Sequence, residues 1–178
     1  MKRVLCLLTD GFEETEALAT VDILRRANIQ VDLVSMNQLE VTGSHDIRIV
    51  ADKLFDGNLA GYDLLFLPGG QPGTNHLKSD PRVLGVVRNF HQSNRFVSAI
   101  CAAPSILDTA QILKGKKVTS HASVKNEYFK DAIYLEENVV VDEKIITSRG
   151  VGTVFEFAFV LVELLGQPSE PLKKSMMF

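Results

Sequence analysis

The sequence predicts an α/β protein: an open, mostly parallel sheet with helices on both faces, an α/β/α sandwich. Short apolar runs alternate with helical patterns from one end to the other. Val4–Leu8 and Asp63–Leu67 are runs that bury both faces, as strands covered by helices on each side do, rather than alternating in and out. The helical patterns between them have the length of crossover connections.

In order along the chain, Val4–Leu8 is the first strand. Glu14–Ala27 is a helix, with Ala17, Leu18, Val21, Leu24 and Ala27 near helical spacing and acidic residues in the first turn. Val31–Met36 closes a βαβ unit. Val41–Leu54, with Gly43 and alternating Ile47, Ile49 and Ala51, reads as a small hairpin excursion. Asp63–Leu67 is a strand stopped by Pro68-Gly69-Gly70, and Asp80-Pro81 starts a helix over Arg82–His91. Phe96–Ile100 is a strand, Pro104–Leu113 a helix and Val118–Ser120 a short strand. Val139–Asp142 and Ile145–Ser148 pair as a hairpin, and Thr153–Leu165 is the last core helix. The tail from Pro168 to Phe178 is left unassigned. No repeat, linker or low-complexity tract divides residues 1–178, which read as a single domain.

Composition narrows the function. The chain has 178 residues, 46% of them hydrophobic, so roughly 70% of the unfolded surface can be buried without staples. With 19 Lys and Arg against 22 Asp and Glu, there is no excess of cations to neutralise a nucleic acid. The apolar runs are too short for a membrane span, so no membrane partner is expected. Two distant cysteines, Cys6 and Cys101, argue for a reducing cytoplasmic setting and for thiol chemistry rather than disulfides.

Ligands of open α/β sheets sit beyond the carboxyl ends of the strands. That rule gathers Thr9-Asp10-Gly11, Pro68-Gly69-Gly70 and Cys101-Ala102-Ala103. Cys101 stands where a strand turns into a helix, among Ala99, Ala102 and Ala103, small enough for a close elbow. At the start of that helix its thiolate is expected to be favoured, with a lowered pKa. Cys6, inside a Val and Leu strand, reads as packed and inert. Of the glutamates opening the first helix, Glu16 shares its face with Ala19, Thr20, Ile23 and Ala27 and is expected to look inward alone, as a general acid or base of raised pKa. Spacing equally allows all three glutamates merely to complement the helix dipole. His121 follows a short strand toward the same edge, whereas His45, His76 and His91 read as surface residues. Gly69, Gly70 and the amide of Ala102 can approach a ligand as an oxyanion hole. The glycines match no nucleotide fingerprint, and no two of the histidines and cysteines have metal-ligand spacing, so neither a cofactor nor a metal is expected.

The motifs Asp10-Gly11-Phe12-Glu13-Glu14-Thr15-Glu16, Leu67-Pro68-Gly69-Gly70, Ala99-Ile100-Cys101-Ala102-Ala103-Pro104, Val118-Thr119-Ser120-His121 and Thr147–Thr153, in that order, resemble the ThiJ/PfpI superfamily, most nearly the clade of the parkinsonism-associated deglycase and its bacterial relatives. The resemblance spans nearly the whole chain. It implies a flavodoxin-like sheet, a homodimer, a nucleophile at Cys101, a protonated glutamate at Glu16, a nearby histidine at His121 and oxyanion donors at Gly70 and Ala102. Ala102 stands where the peptidase branch of the superfamily has a histidine, and Ala122-Ser123 follow His121 where glutamine amidotransferases have His-x-Glu, which argues against both activities. At the pocket mouth, where substrate-binding groups are expected at Gly69, His45 and Val151, close relatives often have arginine in place of His45 and proline in place of Val151.

The activity implied is a glutathione-independent glyoxalase or deglycase, of hydro-lyase or hydrolase type, acting on small carbonyl substrates such as methylglyoxal and glyoxal. The alternative is an oxidative-stress sensor or redox-regulated chaperone working through oxidation of Cys101 to a sulfinate beside Glu16.

Overall fold

A computed structural model describes residues 1–178. Strand β1 (Arg3–Leu8), helix α1 (Glu14–Arg26) and β2 (Gln30–Ser35) form the first βαβ unit. The excursion is an antiparallel hairpin of β3 (Glu40–Thr42) and β4 (Arg48–Val50), after which β5 (Lys53–Leu54) returns to pair with β2. Next come β6 (Leu64–Leu67), α2 (Gly73–Ser79), α3 (Pro81–Gln92), β7 (Phe96–Ile100) and α4 (Pro104–Thr109). The remainder is β8 (Lys117–Val118), α5 (Ala122–Lys125), β9 (Ile133–Tyr134), β10 (Val139–Asp142), β11 (Ile145–Ser148), a 3-10 turn at Val151–Thr153, α6 (Val154–Leu164) and α7 (Glu170–Ser175). The seven-stranded sheet has the order β10-β11-β7-β6-β1-β2-β5 and is parallel except for the β10–β11 hairpin.

Two cores flank this sheet and account for the uninterrupted apolar strands. Val4, Cys6 and Leu8 of β1 enter one core with Leu24 of α1 and Phe157 and Leu161 of α6. Leu5 and Leu7 point the other way, to Val83 and Val87 of α3 and Ile106 of α4. Phe66 and Phe157 rings lie 5.8 Å apart, tying the middle of the sheet to α6. The predicted starts of two helices are capped: Glu13 accepts from the Glu16 amide at 2.6 Å, and Asp80 from the Arg82 amide at 2.9 Å with Pro81 in the first turn of α3. No helix is long and apolar enough to cross a membrane.

Several local expectations are corrected. α2 has only Leu77 as a large buried apolar residue, too little for a helical period to show. α4 stops at Thr109 instead of Leu113, because Ala110 caps it and Gln111 takes φ +62°. The strand expected over Val118–Ser120 spans only Lys117–Val118 and pairs with β9 in a separate two-stranded ribbon. The unassigned tail contains α7, and Phe178 folds back with its ring 5.1 Å from Phe155 and 5.3 Å from Phe159.

Phe157→Ala removes a fully buried ring from the contact between α6 and the sheet. The expected loss is about 3–5 kcal/mol of unfolding free energy, read from urea denaturation, with no change of fold by circular dichroism.

Candidate active site

Three parallel strands, β1, β6 and β7, end side by side and release the chain at one edge. From there Glu16 comes from the first turn of α1, Gly69 and Gly70 from the loop after β6, and Cys101 from the residue after β7. Cys101 has φ +65°, a left-handed conformation that costs a side-chain-bearing residue about 1–3 kcal/mol. Two hydrogen bonds hold the elbow: the Cys101 amide donates to the Ser148 carbonyl at 3.0 Å, and the Cys101 carbonyl accepts from the His121 amide at 2.7 Å. The second of these bonds brings His121 to the site, since β8 lies outside the main sheet. The amide of Thr119, donating to Thr147 Oγ1 at 2.9 Å, fastens the same segment to β11.

Glu16 is fully buried. Its Oε2 accepts from the Gly69 amide at 2.9 Å, so Gly69 holds the carboxyl rather than leaving its N–H for a ligand. A Cβ on Gly69 would lie 2.5 Å from both Cys101 Cβ and Glu16 Oε2, and glycine is therefore what allows the three segments to meet. Glu16 Oε1 has no hydrogen-bond partner, and the carboxyl as a whole interacts with the Cys101 thiol. A Cβ built on Gly150 would lie 3.6 Å from His121 Cδ2, 3.8 Å from Glu16 Oε1 and 3.9 Å from Cys101 Sγ, so all three candidate groups surround one point. His121 Nδ1 accepts from the Ser123 amide at 3.2 Å and shares a 2.8 Å bond with Ser123 Oγ. In the neutral ring this places the proton on Nε2, which makes that nitrogen a donor.

Burial pushes the Glu16 carboxyl up to about 7, aided by the negative Glu13, while the bonds from Cys101 and the Gly69 amide act the other way. Burial, then the charge of Glu16, pushes the Cys101 thiol up to about 12. This corrects the expectation of a lowered thiol pKa. The amides of Ala102 and Gly70 face the sulfur and favour its anion, but α4 is only six residues long and their effect is outweighed. The negative charge of Glu16 opposes that of the sulfur, which therefore ionises most readily when the carboxyl is protonated. Cys6 is sealed in the core, where burial raises its thiol pKa further.

Glu16 does not look inward alone. Glu13 and Glu14 are also buried, because the β3–β4 turn folds over the first turn of α1. Glu14 accepts from the His45 amide at 2.6 Å, His45 Nδ1 at 2.9 Å, Ser44 Oγ at 3.3 Å and the Ile47 amide at 3.4 Å. The ligand-type atoms of Glu13, Glu14 and His45 lie within 4.8 Å of one another, a cluster that sequence spacing did not suggest; in the fold it anchors the hairpin. The His45 side chain is 70% exposed and paired with Glu14, and it does not line the cleft above Cys101.

That cleft, of about 500 Å³, is lined by Glu13, Glu16, Cys101, His121 and the half-exposed Val151. Asn138, Arg149, Gly150, Gly152 and Thr153 also line it; they were not assigned from sequence. Arg149–Thr153 belong to the Thr147–Thr153 motif and follow β11, at the carboxyl end of another parallel strand, whereas Asn138, just before β10, carried no signal.

Fold and site together define a flavodoxin-like α/β protein with a cysteine elbow and a buried carboxyl partner. The DJ-1/PfpI family profile matches residues 2–164, and the chain belongs to that family. It is 38% identical over 164 residues to "Protein DJ-1 homolog B" of Arabidopsis thaliana, covering 90% of this chain but only 37% of that longer protein. With "Glutathione-independent glyoxalase DJR-1.2" of Caenorhabditis elegans it shares 35% identity over 172 residues, 95% of this chain and 91% of the relative. The crystal structure of Drosophila melanogaster DJ-1beta superposes with a TM-score of 0.95 at 32% identity, covering 99% of this chain and 97% of that one.

Because Glu16 holds its proton more tightly folded than unfolded, the native state carries the extra proton between about pH 4.5 and about pH 7, and stability falls as pH rises through that window. Glu16→Gln keeps the acceptor for Gly69 and removes the titration. Its stability relative to wild type is expected to climb across this window, by up to about 3 kcal/mol, and then level off. Denaturation curves at several pH values check this; a difference that does not vary with pH would show that Glu16 titrates as it does in water.

Proposed function

We propose that this protein is a cysteine-dependent glyoxalase of the DJ-1 type, converting small α-oxoaldehydes to hydroxy acids without glutathione. The observation that carries the reading is the Cys101 sulfur held at a left-handed elbow, against a buried carboxyl with a pKa near neutrality and open to a cleft. Membership of the DJ-1/PfpI family supports it, as does a relative at 35% identity that bears the name of this activity.

In the proposed sequence, the ionised fraction of Glu16 accepts the thiol proton as Cys101 Sγ attacks the aldehyde carbon of methylglyoxal. The carbonyl π electrons move to oxygen, and the alkoxide is met by the amides of Gly70 and Ala102. Glu16 hands that proton on to the oxygen, giving the hemithioacetal and restoring the carboxylate, while Nε2–H of His121 donates a hydrogen bond to the neighbouring carbonyl oxygen. Glu16 then takes the hydrogen from the former aldehyde carbon as a proton and returns it to the neighbouring carbon through an enediol, the hydroxyl proton of the first carbon passing to the oxygen of the second. The first carbon is oxidised to a thioester while the second is reduced to a secondary alcohol. Water attacks the thioester, the C–S bond breaks, lactate leaves and the sulfur regains its proton. The sum is methylglyoxal plus water giving lactate, with no external oxidant or reductant. The homodimer implied by the resemblance and the cytoplasmic setting expected from the two distant cysteines belong to the same proposal.

Pure protein incubated with methylglyoxal alone should form lactate, and Cys101→Ser and Glu16→Gln should each lose at least about a hundredfold in kcat/KM, the scale of a missing nucleophile or general acid-base group. Absence of lactate from wild type, or full activity in Cys101→Ser, would overturn the reading.

A further inference from the structure

Arg149 lies immediately before Gly150, the residue that faces Cys101, Glu16 and His121, and it lines the same cleft. Elsewhere in the molecule Arg3, Arg25, Arg26, Arg48 and Arg82 are each held by a carboxylate, while Arg88 and Arg95, away from this cleft, donate to carbonyl oxygens at 2.5–3.1 Å. Arg149 forms no ion pair. Its one protein hydrogen bond runs from Nη1 to the Glu136 carbonyl at a long 3.4 Å, and the Glu136 carboxylate is turned to Lys125 at 2.6 Å. Arg149, half-buried as a residue, thus lines the cleft with most of its five guanidinium donors unspent on the protein. Glu13 lines the same cleft, but its carboxylate accepts from the Glu16 amide at 2.6 Å. His45 is turned to Glu14 and lies outside this lining.

We propose that Arg149 is the specificity-determining residue of the cleft, binding an anionic oxygen group on molecules that react at Cys101. The class it selects is small carbonyl compounds bearing a carboxylate or phosphate, together with the carboxylate of a hydroxy-acid product. A guanidinium meets such a group with two parallel charge-assisted hydrogen bonds, which a neutral substrate cannot accept. The inference rests on the glyoxalase reading for its substrate class, but the recognition itself requires no turnover.

The test is alkylation of Cys101 by iodoacetate and by iodoacetamide, two reagents alike in size and differing in charge, with the modified residue identified by peptide mass. The rate ratio of anionic to neutral reagent, referred to that of the unfolded chain, is expected to fall about tenfold in Arg149→Met, the worth of one charged hydrogen-bonded contact. Arg149→Lys should keep part of the preference. In wild type the ratio should drop as salt rises, and glyoxylate should protect Cys101 from iodoacetamide better than glyoxal does. The salt and protection measurements decide the matter if Arg149→Met fails to fold. A ratio that is the same in wild type and Arg149→Met, or a wild type indifferent to salt and to glyoxylate, would overturn the proposal. Lack of lactate formation with the ratio behaving as expected would sink the glyoxalase reading and leave Arg149 as an anion-binding residue.

Discussion

A carboxyl group with no water to solvate it is pressed against a thiol whose backbone is held in a left-handed turn, and the rest of the edge is arranged around that contact. Glu16 spends one oxygen on the Gly69 amide and leaves the other without a hydrogen-bond partner. Burying a carboxylate this way is unfavourable unless it takes a proton, and burying a thiolate beside it is worse. Near neutrality the thiol therefore keeps its proton and the carboxyl is the member of the pair that titrates. A lone cysteine at a helix start would not have this property, and neither would a lone glutamate in a core.

The sheet supplies the geometry. β1, β6 and β7 are parallel neighbours in register, so the residues following them emerge together without any direct contact between their sequences. Small residues then decide how close the emerging segments come. Gly69 has no Cβ to keep Cys101 and Glu16 apart. Gly70 takes φ +95° where its missing Cβ would strike the backbone of Glu13 and Gly11. β11 adds the last wall, with Gly150 beside the sulfur and the Ser148 carbonyl anchoring the elbow.

Electrostatics outside the pair has two separate duties. Glu14 and His45, which stand next to the cleft, are spent on fastening the β3–β4 turn to α1; burial opposes the Glu14 charge, but the bonds from His45 outweigh it and keep the carboxyl below its ordinary range. Arg149 is left with a carbonyl as its only partner. Two ionisable side chains near one opening are thus held in opposite states, one satisfied by its own chain and one not.

The fold was legible in the sequence because two-faced apolar runs and helical patterns are local signals: β1, β6, β7 and the start of α3 at Asp80-Pro81 follow from a few residues each. Cys101, Glu16 and Gly70 were legible too, since each stands just after a strand or in a first helical turn. The sequence left α2, α5 and β9 unread, because segments of two to seven residues carry too little periodicity. It also left open whether the glutamates were a dipole complement or an inward acid, and here the burial of Glu13 and Glu14 under the hairpin shows that helix-face arithmetic was not enough. The sequence by itself determined which residues reach the sheet edge, because strand ends are set by local pattern. Only the tertiary structure decided the protonation of the pair, the capture of His45 by Glu14 and the free state of Arg149, because burial and charge pairing depend on segments that are distant in the chain and meet only when it folds.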